Sequence, residues 1–291
     1  MQDTCTETSD QFTARDGLQL SRLAFRPGAG GARATVAVVH GYGEHGGRYR
    51  QLGGELAERG FGTVVYDLRG HGRSTGRRGH VTRFKEYLDD TALFLERARG
   101  DAAGRPLFLL GHSMGGLIAA SFVEQRRPND LAGVVLSAPF LRLAEPVPRY
   151  KLALAHIASL VAPAMDVGNT LDAAGLSHDD EVVAAYRTDP LNHHAATARW
   201  ATEVLAAQKS ARVHAGRISQ RLLVMAGADD PVADTDAARE LFAAAGSRDK
   251  KLLVYPGLLH EIFNEAERDA PVADLVAWLE AQLAGLPTVV M

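Results

Sequence analysis

The apolar positions of this chain fall into short, nearly continuous runs, separated by stretches in which apolar residues recur every three or four positions. The runs are "TVAVVH" (Thr35–His40), "GTVVYDL" (Gly62–Leu68), "PLFLLGH" (Pro106–His112), "AGVVLSAP" (Ala132–Pro139), "RLLVMAG" (Arg221–Gly227) and "KLLVYPG" (Lys251–Gly257). Runs this apolar suit strands covered on both faces, as in a parallel sheet. Between the first four lie "RYRQLGGELAERG", "RFKEYLDDTALFLERARG" and "MGGLIAASFVEQRR", each with helical spacing. Strands alternating with helices predict a doubly wound α/β fold. Ahead of them, "QFTARDGLQLSRLAF" places Asp16-Gly17 between two alternating runs, which predicts an N-terminal antiparallel hairpin.

The alternation stops after Pro139. Three prolines (Pro146, Pro148, Pro163) and mostly helix-like sequence follow, and no strong strand returns until Arg221. The expected organisation is a core of residues 1–139 and 217–291, with a helical cap, or lid, inserted at 140–216. Such an insertion sits over the carboxyl ends of the strands, where an open α/β sheet binds its ligands. A length of 291 residues accommodates one large domain with an insertion. A net charge of −3 gives no electrostatic case for a nucleic-acid partner. One cysteine, Cys5, excludes an intramolecular disulfide and fits a reducing, cytoplasmic location. The start, "MQDTCTETSD", does not read as a signal peptide. "LALAHIASLVAPAM" (Leu152–Met165), the most apolar segment, is too short and interrupted to span a bilayer.

Two glycine motifs carry the chemistry, and the first is ambiguous alone. Gly41, Gly43 and Gly46 in "HGYGEHGG" fit G-x-G-x-x-G after a strand, and Asp67 ends the next strand, as in a dinucleotide site. The second motif decides the matter. Gly111-His112-Ser113-Met114-Gly115 matches G-x-S-x-G between a strand and a helix, where a sharp turn exposes a serine nucleophile. Such a serine needs a base and an orienting acid, in the chain order Ser, Asp or Glu, His. "MAGADDPVAD" offers Asp229 and Asp230 after one strand, and "YPGLLHEIF" offers His260 after the last. The choice between the two aspartates stays open at this point. Acyl transfer also needs two backbone N–H donors for the oxyanion. Met114, after the nucleophile, supplies one, and the "HGYGEHGG" loop supplies the other through Tyr42. Glu44 and His45 sit where a pyrophosphate turn favours small residues, so the loop reads as an oxyanion loop and not a nucleotide site. His193-His194 carry no accompanying metal-ligand spacing and read as surface histidines.

"HGYGEHGGRY", "YDLRGHGRSTGRRG", "GHSMGG" and "DDEVVAAYRTDPLNHH" together resemble the monoglyceride lipase and lysophospholipase group of the α/β-hydrolase superfamily. The resemblance runs from about Thr35 to Leu283, cap included. It implies an α/β-hydrolase fold and the triad Ser113, Asp230 and His260, with Asp230 at the G-x-x-D position of Gly227-Ala228-Asp229-Asp230. It also implies Tyr42 and Met114 as oxyanion donors, no metal and no cofactor. Tyr42 departs from the small residue usual in that loop, and its ring is placed to narrow or gate the site. Asp67, Arg69 and His71 read as loop-anchoring residues. The implied activity is hydrolysis of carboxylic esters, monoacylglycerols or lysophospholipids, by a lipid-metabolising enzyme; whether its cap touches membrane surfaces transiently stays open at this point. Most apolar side chains of "YKLALAHIASLVAPAM" are expected to pack the cap on the core, and a minority to face an acyl chain. The alternatives are a short-chain carboxylesterase, a proline-type aminopeptidase using cap carboxylates (Glu145, Asp179, Asp180, Glu181) for a free amine, and a non-catalytic hydrolase-fold receptor. Ser113 at the elbow disfavours epoxide hydrolases and haloalkane dehalogenases, which use aspartate there.

Overall fold

The computed structural model describes residues 5–28, 31–168 and 172–285. Met1–Thr4, within the segment read as lacking a signal peptide, residues 169–171 of the expected insertion, and residues 29–30 and 286–291 lie outside the described residues.

Among the described residues, eight strands form one sheet: β1 (Cys5–Thr13), β2 (Gln19–Pro27), β3 (Ala34–Val39), β4 (Phe61–Tyr66), β5 (Leu107–His112), β6 (Leu131–Ser137), β7 (Leu222–Gly227) and β8 (Lys250–Tyr255). Their order is β1-β2-β4-β3-β5-β6-β7-β8. The β1/β2 and β2/β4 pairs are antiparallel and all others parallel. The Asp16-Gly17 turn closes the β1–β2 hairpin, with Gly17 at φ +89°. All six apolar runs are strands.

The period-two alternation of side chains gives the sheet two dry faces. Ala37, Val39, Leu107 and Leu109 join one core with Tyr87, Phe94 and Leu95 of α2 (Lys85–Ala102), Leu117 and Ile118 of α3 (Met114–Arg126) and Leu241 of α7 (Thr235–Ala244). Val36, Val38, Phe108 and Leu110 face the other way, onto Leu52 and Leu56 of α1 (Arg50–Glu58) and Leu275, Trp278 and Leu279 of α8 (Asp269–Ala284). Every residue of β3, β4, β5 and β7 is buried, which is why these runs are nearly continuous in apolar residues.

After β3 the chain turns to β4 on one side, then crosses back through α2 to β5 on the other. The loops leaving β3 and β5 therefore diverge, and the crevice between them is where an open α/β sheet receives a ligand. Between β6 and β7 stand α4 (Arg149–Val161), α5 (Asp180–Thr188) and α6 (Ala198–Val213). Their junction with the core is close-packed. Thr197 donates from both its N–H (2.9 Å) and its hydroxyl (3.1 Å) to Gly79 O.

Helix α4 corrects one expectation. Ser159 is its one buried residue, bonded through its hydroxyl to Thr202 of α6 at 2.9 Å. Leu154, Ile157, Leu160 and Val161 are 57–77% exposed. One neighbouring helix covers one side of α4 only, so most of its apolar side chains face outward instead of packing the insertion on the core. Among the described residues, no helix is long and apolar enough to cross a membrane.

A Cβ added at Gly79 (φ +58°) would lie 1.7 Å from Ala195 O. Gly79→Ala is therefore expected to lower the unfolding free energy by about 1–3 kcal/mol, the usual cost of overpacking, measured by urea denaturation. An unchanged midpoint would contradict close docking of the insertion at that loop.

Candidate active site

Ser113 links β5 to α3 at φ 52° and ψ −118°, a conformation that costs a non-glycine residue energy. Three glycines make the turn possible by having no side chain. A Cβ at Gly111 would sit 2.2 Å from Gly115 O, one at Gly115 1.9 Å from Val39 O, and one at Gly116 2.9 Å from Pro139 Cα. Two backbone bonds of 2.9 Å, Ser113 N to Ser137 O and Phe140 N to Ser113 O, hold the turn against β6. The hydroxyl stands at the positive N-terminal end of α3.

The loops after β7 and β8 converge on that hydroxyl. Gly227 ends β7 with no room for a Cβ, which would lie 2.2 Å from the carbonyl oxygens of Leu258 and Leu259. This close approach brings His260 Nδ1 to 2.7 Å from Asp230 Oδ2 and His260 Nε2 to 2.8 Å from Ser113 Oγ. The other Asp230 oxygen accepts the N–H groups of Val232 and Ala233 at 2.8 and 2.9 Å. Asp229 is exposed, its N–H donating to Leu258 O. Of the two aspartates, Asp230 meets the imidazole. A carboxylate on Nδ1 holds the proton there and leaves the Nε2 lone pair to accept the serine hydroxyl. Burial alone lowers the pKa of His260, but the charge and hydrogen bond of Asp230, with the charges of Glu261 and Glu44, together outweigh it and the net shift is upward from 6.5.

The loop after β3 lies against the serine: a Cβ at Gly41 would be 3.2 Å from Ser113 Cβ. Met114 is the first residue of α3, where an N–H has no acceptor within the helix. Tyr42 follows Gly41, half-buried. Its ring is turned away toward the insertion, 4.4 Å from the Trp200 ring between centroids, and its hydroxyl donates to Ala195 O. Asp67 closes its own loops: its oxygens accept the N–H groups of Gly46 and Arg73, both at 2.7 Å, so the carboxylate stands where no ribose is needed to satisfy it. Arg69 pairs with Asp90, Asp16 and Glu86, and His71 Nδ1 bonds Arg69 O at 3.0 Å; both anchor loops.

Three features escaped the sequence reading. Glu44, read there only as too bulky for a pyrophosphate turn, is buried and accepts the Gly41 N–H and the Tyr49 hydroxyl. Arg48 bonds Glu44 at 3.0 Å and both oxygens of Glu261 at 2.5 and 2.8 Å, joining the β3 loop to the residue after His260. Burial alone raises the Glu44 carboxyl, but Arg48, His112 and His40 hold it down to about 2. The Glu44–Arg48 spacing is visible in sequence; Glu261 is not linked to it by any local signal. His112 is buried beside His260, and burial with that neighbour brings it down to about 4. His193 is a correction. His194 is exposed as expected, but the His193 ring lies 4.5 Å from that of His71 and 5.4 Å from that of Tyr42, and burial lowers it to about 4.

Of the four carboxylates considered for a free amine, Asp179 has a structural partner. Asp179 caps α5, accepting the N–H of Glu181 at 2.9 Å, and Asp180 and Glu181 occupy the first turn, where negative charge is favoured. Glu145 is exposed.

Residues 30–267 match a family model described as serine aminopeptidase, S33. The chain is 34% identical to a monoacylglycerol lipase of Mycolicibacterium smegmatis over 96% of its own length and 99% of that protein. It is 34% identical to phospholipase YtpA of Bacillus subtilis over 81% of its own length and 91% of that protein. A crystal structure of Paleococcus ferrophilus monoacylglycerol lipase superposes with a TM-score of 0.79 at 30% identity, covering 95% of this chain and 99% of that one.

Arg48→Met leaves two buried carboxylates facing each other without a cation. A loss of about 3–5 kcal/mol is expected in chemical denaturation, as when one partner of a buried pair is removed; a loss below 1 kcal/mol would show that the pair is not buried as described. The pH profile tests His260. A raised pKa means the neutral, proton-accepting form is reached at higher pH, so kcat/KM should fall on acidification with one apparent pKa above 6.5. Asp230→Asn should move that limb downward and cut kcat by about 10⁴. An acid limb at or below 6.5 in the native protein contradicts this electrostatic account.

Proposed function

We propose a function from one premise: the chain belongs to the monoglyceride lipase group of the α/β-hydrolase superfamily and is a carboxylic ester hydrolase. The observation that carries the reading is the chain of bonds from Ser113 Oγ through His260 to Asp230, at 2.8 and 2.7 Å. In this mechanism Ser113 Oγ attacks the ester carbonyl while His260 Nε2 takes its proton, and Asp230 stabilises the imidazolium. The N–H groups of Tyr42 and Met114 hold the oxyanion. Collapse expels the alcohol with the proton from His260, and a water activated by the same imidazole releases the acid. Catalysis in this scheme uses side chains and backbone alone.

The substrates are monoacylglycerols or lysophospholipids, a reading supported by similarity to proteins named monoacylglycerol lipase and phospholipase. The insertion, residues 140–216, acts as the cap. The outward apolar side chains of α4, together with Met165 and Val167 at 47% and 44% exposure, support a cap that rests transiently on a lipid surface, since an apolar-faced helix lies in the interfacial plane. The family description raises aminopeptidase activity as a second reading. That chemistry needs a free carboxylate for the substrate amine. Glu44 and Glu261, the buried acids beside the site, instead share Arg48, Asp179 is engaged as a helix cap, and Asp180 and Glu181 stand in the first turn of α5, where the helix N-terminus already favours their charge. Ester hydrolysis is favoured.

The test is product release from a long-chain monoacylglycerol, a lysophospholipid, short and long p-nitrophenyl esters and an aminoacyl anilide, with Ser113→Ala alongside. Fast turnover of the monoacylglycerol or lysophospholipid, lost by about 10⁶ in the variant, is expected. Turnover confined to the short esters, or to the anilide, would overturn the substrate assignment.

A further inference from the structure

The oxyanion donor assigned to Tyr42 sits between two glycines. Gly41 and Gly43 flank it, and Gly43 is at φ +72°. A donor on such a segment is free to swing unless something fixes it. Oxyanion stabilisation works only when the donor is already aimed.

The fixing comes from both sides of the residue, and one side belongs to the insertion. On the core side, the Gly41 N–H donates to Glu44 Oε1. On the insertion side, the His193 N–H donates to Gly43 O at 3.0 Å, and the Tyr42 hydroxyl donates to Ala195 O. The contact is close enough that a Cβ at Gly43 would lie 2.6 Å from His193 O. The Tyr42 ring is held by Trp200 of α6 at 4.4 Å and edge-on by His193 and His71 at 5.4 and 5.9 Å. Two positions after Gly43, His45 Nε2 bonds Asp189 at 2.9 Å. Residues 189–195 thus clamp three of the four residues from Tyr42 to His45 by direct bonds.

We propose that Tyr42 acts twice: its N–H receives the oxyanion, and its side chain is a positioning element that locks that N–H to the insertion through Ala195 and Trp200. The oxyanion site is then complete only while residues 193–195 are docked, so movement of the insertion switches catalytic competence as well as access. A tyrosine has a reason to stand here, where the backbone donor alone places no demand on the side chain. The proposal rests on the assignment of Tyr42 as a donor.

Tyr42→Phe removes the hydroxyl and keeps the ring. The substrates are p-nitrophenyl butyrate and its thiono counterpart, in which sulfur replaces the carbonyl oxygen. Sulfur accepts hydrogen bonds poorly, so the thiono ester gains little from the donors and the rate ratio between the two reads the oxyanion site directly. The native enzyme should favour the oxo ester strongly. In Tyr42→Phe, kcat on the oxo ester should fall roughly 10- to 100-fold, less than the 10²–10³ typical of deleting a donor outright. KM and the thiono rate should stay within about threefold of native, the scatter expected when only transition-state binding changes. Trp200→Leu should shift the ratio in the same direction, and it reads the same brace if the first variant folds poorly. A native-like ratio in both variants, or equal losses on both substrates, overturns the brace. No oxo preference in the native enzyme would instead overturn the donor assignment beneath it.

Discussion

Ser113 is held at φ 52°, a conformation costing on the order of 1–3 kcal/mol for a residue with a side chain, and much of the molecule is arranged around keeping it there. The strain persists because its neighbours leave no alternative. Gly111, Gly115 and Gly116 let β5, α3 and the ends of β3 and β6 approach within distances that a single methyl group would prevent. Relaxing the turn would withdraw the hydroxyl from His260 Nε2 and lower it from the N-terminus of α3. The fully buried strands β3 and β5 supply the rigid platform, and the two apolar cores on either face of the sheet keep them in register.

The site is assembled from loops that leave separate strands, so something besides the sheet must hold them to one another. Two devices do so. Arg48, between Glu44 and Glu261, ties the loop after β3 to the loop carrying His260 by charge-assisted bonds in a dry setting, where such bonds are strong. The contacts from residues 189–195 to Tyr42, Gly43 and His45 tie the same loop to the insertion. The first is a fixed internal clamp. The second joins that loop to the part of the protein that carries an exposed apolar helix.

How much of this was legible beforehand follows the range of the interactions. The strands are legible because burial on both faces removes most polar positions from a run such as "PLFLLGH", and the hairpin because Asp16-Gly17 interrupts period-two patterning. Ser113 and His260 were legible because the chemistry demands particular residue types after particular strands. Asp229 against Asp230 was not settled by spacing; a one-residue difference decides which side chain points to the imidazole, and the G-x-x-D resemblance picked the residue that bonds His260. The outward face of α4 is not legible, because composition cannot say how much partner surface a helix will find. His193 is hidden for a similar reason: "NHH" looks like surface sequence, and only the docking of that loop against His71 and Tyr42 half-buries one histidine while leaving the next exposed.

The central claim, that the elbow serine carries the acyl group, is tested most directly by intact and peptide mass spectrometry of the enzyme quenched within its first turnovers on a p-nitrophenyl ester. The account predicts one acyl mass added per chain, located on the peptide containing Ser113 and disappearing as acid is released. Turnover with no acyl group on that peptide, or with the acyl group on another residue, would contradict it.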